Sequence, residues 1–157
     1  MRDFMMDVNH SYLLWIGVFV FAVHMVEAFF FDFAPWIKKA LHIPSITWNH
    51  FFVVNTFAAL TGISCAMVGW MAPTFSLLFA AMLILGGLFH VVMTLVRRHM
   101  MPGLYSAVLL WIPVGVCTYF GASWDGVLTT QAAILSFLWA ILILPLPYTF
   151  AKLSGKK

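Results

Sequence analysis

Five long apolar runs constrain how this chain can fold. A helix needs about 20 residues to cross the hydrocarbon core of a bilayer, and each run is close to that length. Backbone hydrogen bonds must be satisfied within a segment that lies in hydrocarbon, so we expect each run to be a helix. The sequence therefore predicts an all-α fold, a five-helix transmembrane bundle with approximate spans at residues 12–31, 48–70, 74–96, 104–120 and 128–150.

The composition indicates a single integral membrane domain that covers residues 1–157. Hydrophobic residues make up 64% of the chain and charged residues 8%, whereas soluble domains are about half apolar and about a quarter charged. The net charge of +3 comes from Lys and Arg residues that are dispersed between the apolar runs, so we expect no nucleic-acid partner. The two cysteines have no CxxC spacing, which argues against a disulfide framework or a zinc motif.

The positions of the basic residues predict a direction for the bundle. With five spans, Arg2 is the only Lys or Arg residue on one side of the membrane, and the other seven lie on the opposite side. The positive-inside rule makes that opposite side cytoplasmic. The amino terminus is then outside and the carboxyl terminus is in the cytoplasm. Residues 33–45 mix apolar and basic side chains, which predicts a short interfacial helix between the first two spans. The basic residues on the cytoplasmic side are Lys38, Lys39, Arg97, Arg98, Lys152, Lys156 and Lys157.

Four polar residues from three spans fall at one depth in the cytoplasmic half of the membrane. A rise of 1.5 Å per residue puts them about 7 to 12 Å from the cytoplasmic boundary. A charged side chain at the bilayer centre costs about 2.5 to 3.5 kcal/mol on insertion scales, so such residues are functional candidates. The alternative is a structural hydrogen-bond network, in which each bond contributes only about 0.6 kcal/mol on average. The predicted catalytic residues are His24, Glu27, Asn55 and His90.

The other histidines rank lower as candidates. His50 lies about 140° from Asn55 around its helix, at 3.6 residues per turn. We expect His10, His42 and His99 to face solvent or lipid headgroups, because they lie outside the predicted spans.

Short motifs in this order resemble those of the HXXEE family of small bacterial membrane proteins. The chain reads His-Met-Val-Glu-Ala at residues 24–28, has His90 in the run before a basic pair, and opens the next run with Pro102-Gly103. This resemblance marks His24, Glu27 and His90 as the motif residues. It implies a multi-pass protein of the bacterial cytoplasmic (inner) membrane.

Two positions depart from the family pattern. Ala28 stands where the HXXEE motif has its second glutamate, and Met100 stands where the family's YXPG motif has its tyrosine. If the chemistry of the family needs the second carboxylate or the phenol, this member has an altered activity or none.

Three kinds of function fit these residues. In the first, His24, Glu27 and His90 hold a divalent metal, zinc or iron, because two histidines and one carboxylate are a recognised ligand set. The metal would serve hydrolysis or modification of a lipid or another apolar substrate, with Asn55 orienting a ligand or the substrate. Membrane lipids are the expected partners, and the sequence is compatible with an oligomer.

The second function is metal-free acid–base catalysis on a lipid, such as an isomerisation. Glu27 would donate a proton, and His24 or His90 would accept one. The third is a non-enzymatic carrier of protons, metal ions or small molecules, because intramembrane His and Glu residues are typical of such paths. The polar residues occupy only one half of the membrane, so the sequence shows no continuous path.

Overall fold

Every regular element in the described part of the chain, residues 9–146 and 149 of this computed structural model, is helical. The all-α prediction is therefore confirmed for that part. One short 3₁₀ turn, Gly69–Met71, extends the third helix. The helices are α1 (Tyr12–Phe30), α2 (Phe33–Leu41), α3 (Trp48–Val68), α4 (Pro73–Arg97), α5 (Leu104–Trp124) and α6 (Thr130–Ile143).

Four of these helices are long and apolar enough to cross a membrane, namely α1, α3 with its 3₁₀ turn, α4 and α5. Helix α6 is apolar but has only 14 residues. A helix that crosses a bilayer needs about 20 residues. The predicted fifth span, residues 128–150, includes residues 147, 148 and 150, which lie outside the described part. Helices suited to a membrane are thus confirmed, while the number of five spans stays a prediction.

Helix α4 lies at the centre of the bundle. It packs against α1, α3, α5 and α6, and 61% of its apolar window is buried, compared with 33% or less in the other three spans. Its contact with α5 is close because Gly87 has no side chain. A Cβ atom there would lie 2.6 Å from Cγ1 of Ile112 and 3.1 Å from the Ala107 carbonyl oxygen. Small residues at such contacts let the backbones of membrane helices approach each other.

Helix α2 covers one end of the bundle, which we call the basic end. Its buried residues include Phe33 and Ile37, while Lys38 and Lys39 are exposed. The Arg97 guanidinium donates a hydrogen bond to the Ala40 carbonyl. The basic segments 38–39 and 97–98 therefore share one end of the bundle, as the sequence predicts. Arg2, Lys152, Lys156 and Lys157 lie outside the described residues.

A polar cluster holds the opposite end together. Asp125, which follows α5, accepts hydrogen bonds of 2.6 Å from the His10 backbone N–H, from Nδ1 of His10 and from the Trp70 indole. The sequence predicts that His10 faces solvent or lipid headgroups; its side chain is 23% exposed and also ties the start of α1 to the end of α5. The sequence does not indicate this contact, because the partner of His10 lies 115 residues away along the chain.

We expect the Asp125 cluster to make stability depend on acidic pH. Burial by itself raises the pKa of Asp125, but hydrogen bonds from His10 and Trp70 and the charge of His10 outweigh burial and lower it. A lowered pKa stabilises the fold above the ordinary carboxyl value of about 4, and this contribution is lost as the pH falls through the folded value. In detergent, the midpoint temperature of thermal unfolding should decrease when the pH is lowered below about 4.

The Asp125→Asn variant tests this expectation. It should unfold at a lower temperature than wild type at neutral pH and lose less stability on acidification, because the amide cannot take up a proton. Identical slopes of the unfolding midpoint against pH in the two proteins would assign the acid sensitivity to other groups.

Candidate functional site

Two buried histidines meet between α1 and α4. The ring centroids of His24 and His90 are 4.7 Å apart, and the rings are nearly perpendicular at 86°. Each residue is only 4% exposed. The sequence places these two residues at one depth in the membrane, and the helices bring their rings into contact. Their catalytic role stays a prediction.

The first turns of α5 hold the His24 ring in place. Nδ1 of His24 and Oγ of Ser106 form a hydrogen bond of 2.9 Å. The ring also packs on the Trp111 indole, with centroids 3.7 Å apart. The indole N–H donates to the Val20 carbonyl at 3.2 Å, one turn before His24 on α1. Both partners on α5 therefore restrict the orientation of the His24 side chain.

Trp111 is a site residue that the sequence interpretation missed. It is the last residue of a π-helical segment, Ala107–Trp111, that ends two residues before Pro113 in α5. Proline cannot donate the backbone hydrogen bond that a regular helix needs, and a wider turn relieves the clash with the preceding carbonyl groups. Tryptophan in membrane proteins is enriched at the two membrane interfaces. A tryptophan in the interior of an apolar run is therefore unusual, and this position was the sequence signal that could have marked Trp111 as a site residue.

The turn before α5 is built around Gly103, which has a φ of +88°. Glycine adopts this left-handed conformation without strain. A Cβ at Gly103 would collide with Cε1 of His24 and lie 3.1 Å from both ring nitrogens. The backbone groups of Pro102 and Gly103 also lie close to the His90 and His24 rings, respectively. The Pro-Gly pair thus acts as a backbone cradle for both imidazoles.

Glu27 binds the beginning of α5. Its two carboxylate oxygens accept hydrogen bonds from the backbone N–H groups of Tyr105, at 3.1 Å, and Ser106, at 2.7 Å. The first backbone N–H groups of a helix have no partner within the helix and carry partial positive charge. The carboxylate therefore caps α5 and holds Ser106 beside His24.

This arrangement bears on the predicted metal site of His24, Glu27 and His90. Among the described residues, no three His, Cys, Asp or Glu side chains are grouped so that they could hold a metal ion. The two imidazoles are adjacent, but the Glu27 carboxylate is bound to the backbone of α5. The donor arrangement therefore does not support the metal-ligand prediction.

Ala28 occupies the last position of the His-Met-Val-Glu-Ala segment. It is fully buried in an apolar cluster that includes Phe33, Ile37 and Met101. A glutamate at this position would bring a carboxylate into that cluster. The departure from the family motif at residue 28 is therefore matched by an apolar environment in this chain.

A cavity of about 390 Å³ opens beside the histidine pair. This volume falls in the range of about 300–1,000 Å³ that is usual for small-molecule sites. Most of its lining is aromatic or aliphatic, from α1, α3, α4 and α6. The polar side chains that line it, apart from the Trp111 indole, are His24, His50, Asn55 and His90.

The cavity brings three of the four predicted site residues together, since Glu27 does not line it. Asn55 lies along one wall and its Nδ2 donates to the Phe51 carbonyl at 2.8 Å. His50 also lines the cavity, with Nδ1 at 2.9 Å from Oγ1 of Thr47. The angle between His50 and Asn55 led the sequence interpretation to rank His50 low, but the cavity is broad enough to contact two faces of α3.

One nitrogen of His90 is without a hydrogen-bond partner. Among the described residues, none bonds to Nδ1 of His90, although the atom is buried. His90 is at the same time one of the residues that line the cavity.

Comparison with known proteins supports one assignment. A model of the family described as "Protein of unknown function with HXXEE motif" matches residues 15–118, which is more than half of the chain. The matched part contains His24, Glu27, Asn55, His90 and the Pro102-Gly103 turn and leaves out α6. No curated protein and no solved structure matches the chain. The chain belongs to the HXXEE family.

Proposed function

We propose that this protein is an integral membrane enzyme that carries out metal-free acid–base chemistry on a lipid or another apolar substrate. One observation carries the proposal. His90, which has a ring nitrogen without a hydrogen-bond partner among the described residues, lines a mainly apolar cavity and contacts a second imidazole. A buried imidazole with an unused ring nitrogen beside a space of ligand size is suited to proton transfer with a bound substrate.

In this proposal the two histidines have different roles. His90 takes a proton from a substrate carbon that lies between a double bond and a carbonyl group. His24 supplies a proton to the carbon at the far end of the double bond and is reprotonated by His90, whose ring it contacts. The double bond moves, the atom count of the substrate is unchanged, and both histidines return to their starting state. Asn55 and His50 line the same cavity and are the groups available to bind a polar part of the substrate. Glu27 acts on His24 through α5 and does not touch the substrate.

The proposal includes the topology that the basic residues favour. The protein crosses the bacterial inner membrane five times, with the amino terminus outside and the basic end in the cytoplasm. The shared position of segments 38–39 and 97–98 supports this orientation, because such residues accumulate on the cytoplasmic side. Helix α2, with its exposed lysines and buried apolar face, then lies at the cytoplasmic interface.

Deuterium transfer from water tests the proposed chemistry. Purified protein in vesicles of a total bacterial lipid extract is incubated in deuterated water, and the lipids are analysed by mass spectrometry. We expect a lipid class that gains one deuterium with wild-type protein. His90→Gln should slow this by about 10²–10⁴-fold, the usual contribution of a general acid or base.

The control is His42→Asn, since His42 is exposed at the end of α2 and its left-handed conformation is tolerated by asparagine. This variant should retain wild-type exchange. Equal exchange by wild type and His90→Gln would contradict the proposal, and loss of exchange on treatment with a chelator would favour the metal-dependent reaction instead.

A further inference from the structure

The cavity reaches the surface of the bundle between α3 and α6. Phe57 on α3 and Ile141 on α6 both line the cavity, yet they are 62% and 54% exposed. A side chain that lines a cavity and is also largely exposed lies at its mouth. Because α3 and α6 both pack against α4, they stand on either side of this opening.

The mouth is lined by apolar side chains at membrane depth. Phe57 lies in the tenth position of α3, well inside an apolar helix of spanning length. Its exposed neighbours Val53 and Leu60 are also apolar. An opening bordered by such residues faces hydrocarbon when the helices cross a membrane. The cavity is therefore open towards lipid chains.

Polarity changes along the cavity. His50 and Asn55 lie in the first turns of α3, close to the basic end, where α2 also contributes Phe33 and Ile37 to the lining. Further along the spans the lining is apolar and includes Phe79 and Met82 of α4. A molecule with a polar group at one end and a hydrocarbon chain at the other matches this gradient. A membrane lipid in the leaflet at the basic end has the same orientation.

We infer that the cavity binds a hydrocarbon chain of a membrane phospholipid, which enters sideways from the bilayer between α3 and α6. The polar end of the lipid lies towards the basic end, next to His50 and Asn55, and the chain extends towards Phe79. The inference rests on the proposed function in one respect, because it names the class of substrate that the same cavity would bind.

Quenching of Trp111 fluorescence measures this binding directly. Trp111 is 7% exposed and lines the cavity, so lipid around the outside of the bundle does not reach it. The protein is reconstituted in vesicles of phosphatidylcholine with brominated chains, which quench tryptophan on contact. The Trp111 signal is the difference between wild type and Trp111→Phe. We expect this signal to be strongly reduced relative to vesicles of unbrominated phosphatidylcholine.

A pair of adjacent cysteine variants tests the route. Ile141→Cys and Leu142→Cys are made in a Cys117→Ser background and labelled with the same bulky maleimide, while Cys65 is buried. Both positions are exposed, at 54% and 60%, but only Ile141 lines the cavity. The label at residue 141 should abolish quenching of Trp111, and the label at residue 142 should leave it unchanged.

Two outcomes overturn the inference. One is an unquenched Trp111 in the unlabelled protein, and the other is equal quenching in the two labelled proteins. This measurement needs no turnover, so it separates the two proposals. Quenching without deuterium exchange would remove the proposed chemistry and leave the lipid site, whereas exchange without quenching would remove the lipid site alone.

Discussion

Replacing Gly103 by alanine is expected to displace His24 and to destabilise the protein. An alanine in the left-handed conformation costs about 1–2 kcal/mol more than glycine. At this position its Cβ would also meet the His24 ring, which packs on Trp111. Either the ring or the turn must move. We expect a lower thermal unfolding midpoint in detergent and loss of the deuterium exchange that His24 supports.

Gly126 provides a matched control for this prediction. Its φ is +69°, so alanine is strained there as well, but a Cβ atom would have no neighbour within 4 Å. Gly126→Ala should therefore show the strain without the collision and keep the activity. If both variants lose the same stability and Gly103→Ala remains active, the turn does not hold His24 in the way that we describe.

Replacing Glu27 by glutamine is expected to destabilise the start of α5 by about 1.5–3 kcal/mol, the range of hydrogen bonds to a charged group. The carboxylate accepts from two backbone N–H groups, at Tyr105 and Ser106. Glutamine has one acceptor oxygen, so its NH₂ group would face one of these donors. The unfolding midpoint should fall, and exchange activity should fall with it because Ser106 no longer fixes His24.

Elemental analysis separates this capping role from a metal-ligand role. If Glu27 were a ligand, Glu27→Gln would lower the metal content of the purified protein while the metal-free protein kept its stability. Ser106→Ala is the matched variant. It removes the hydroxyl that binds His24 but keeps the backbone N–H that binds Glu27, so it should lose activity with a smaller loss of stability.

The depth of the candidate site could be predicted from the sequence because it depends on few quantities. The rise of a helix and the ends of the apolar runs are enough to put His24, Asn55 and His90 at one level. The structure brings all three to the same cavity. The turn at Pro102-Gly103 was marked as a motif, but its contact with both imidazoles depends on how the loop before α5 folds back.

The role of Glu27 could not be predicted in the same way. It lies three residues after His24, and spacing on one helix suggested that both would serve one site. Its partners are 78 and 79 residues away in the sequence, in the first turn of another helix. His10 is a similar case, since Asp125 lies at the far end of α5. Hydrogen bonds between distant segments leave no periodic signal.

The amino-acid sequence is sufficient to predict that the chain is helical, that several helices suit a membrane, and that polar residues gather near one end. Local rules are sufficient for this, because backbone hydrogen bonds within a helix and the cost of burying charge depend on neighbouring residues. The packing of the helices adds three features, since Glu27 turns to α5, Trp111 packs on His24, and a cavity opens between α3 and α6. These features depend on the rotation and spacing of whole helices, which are determined by packing contacts between residues far apart in the chain.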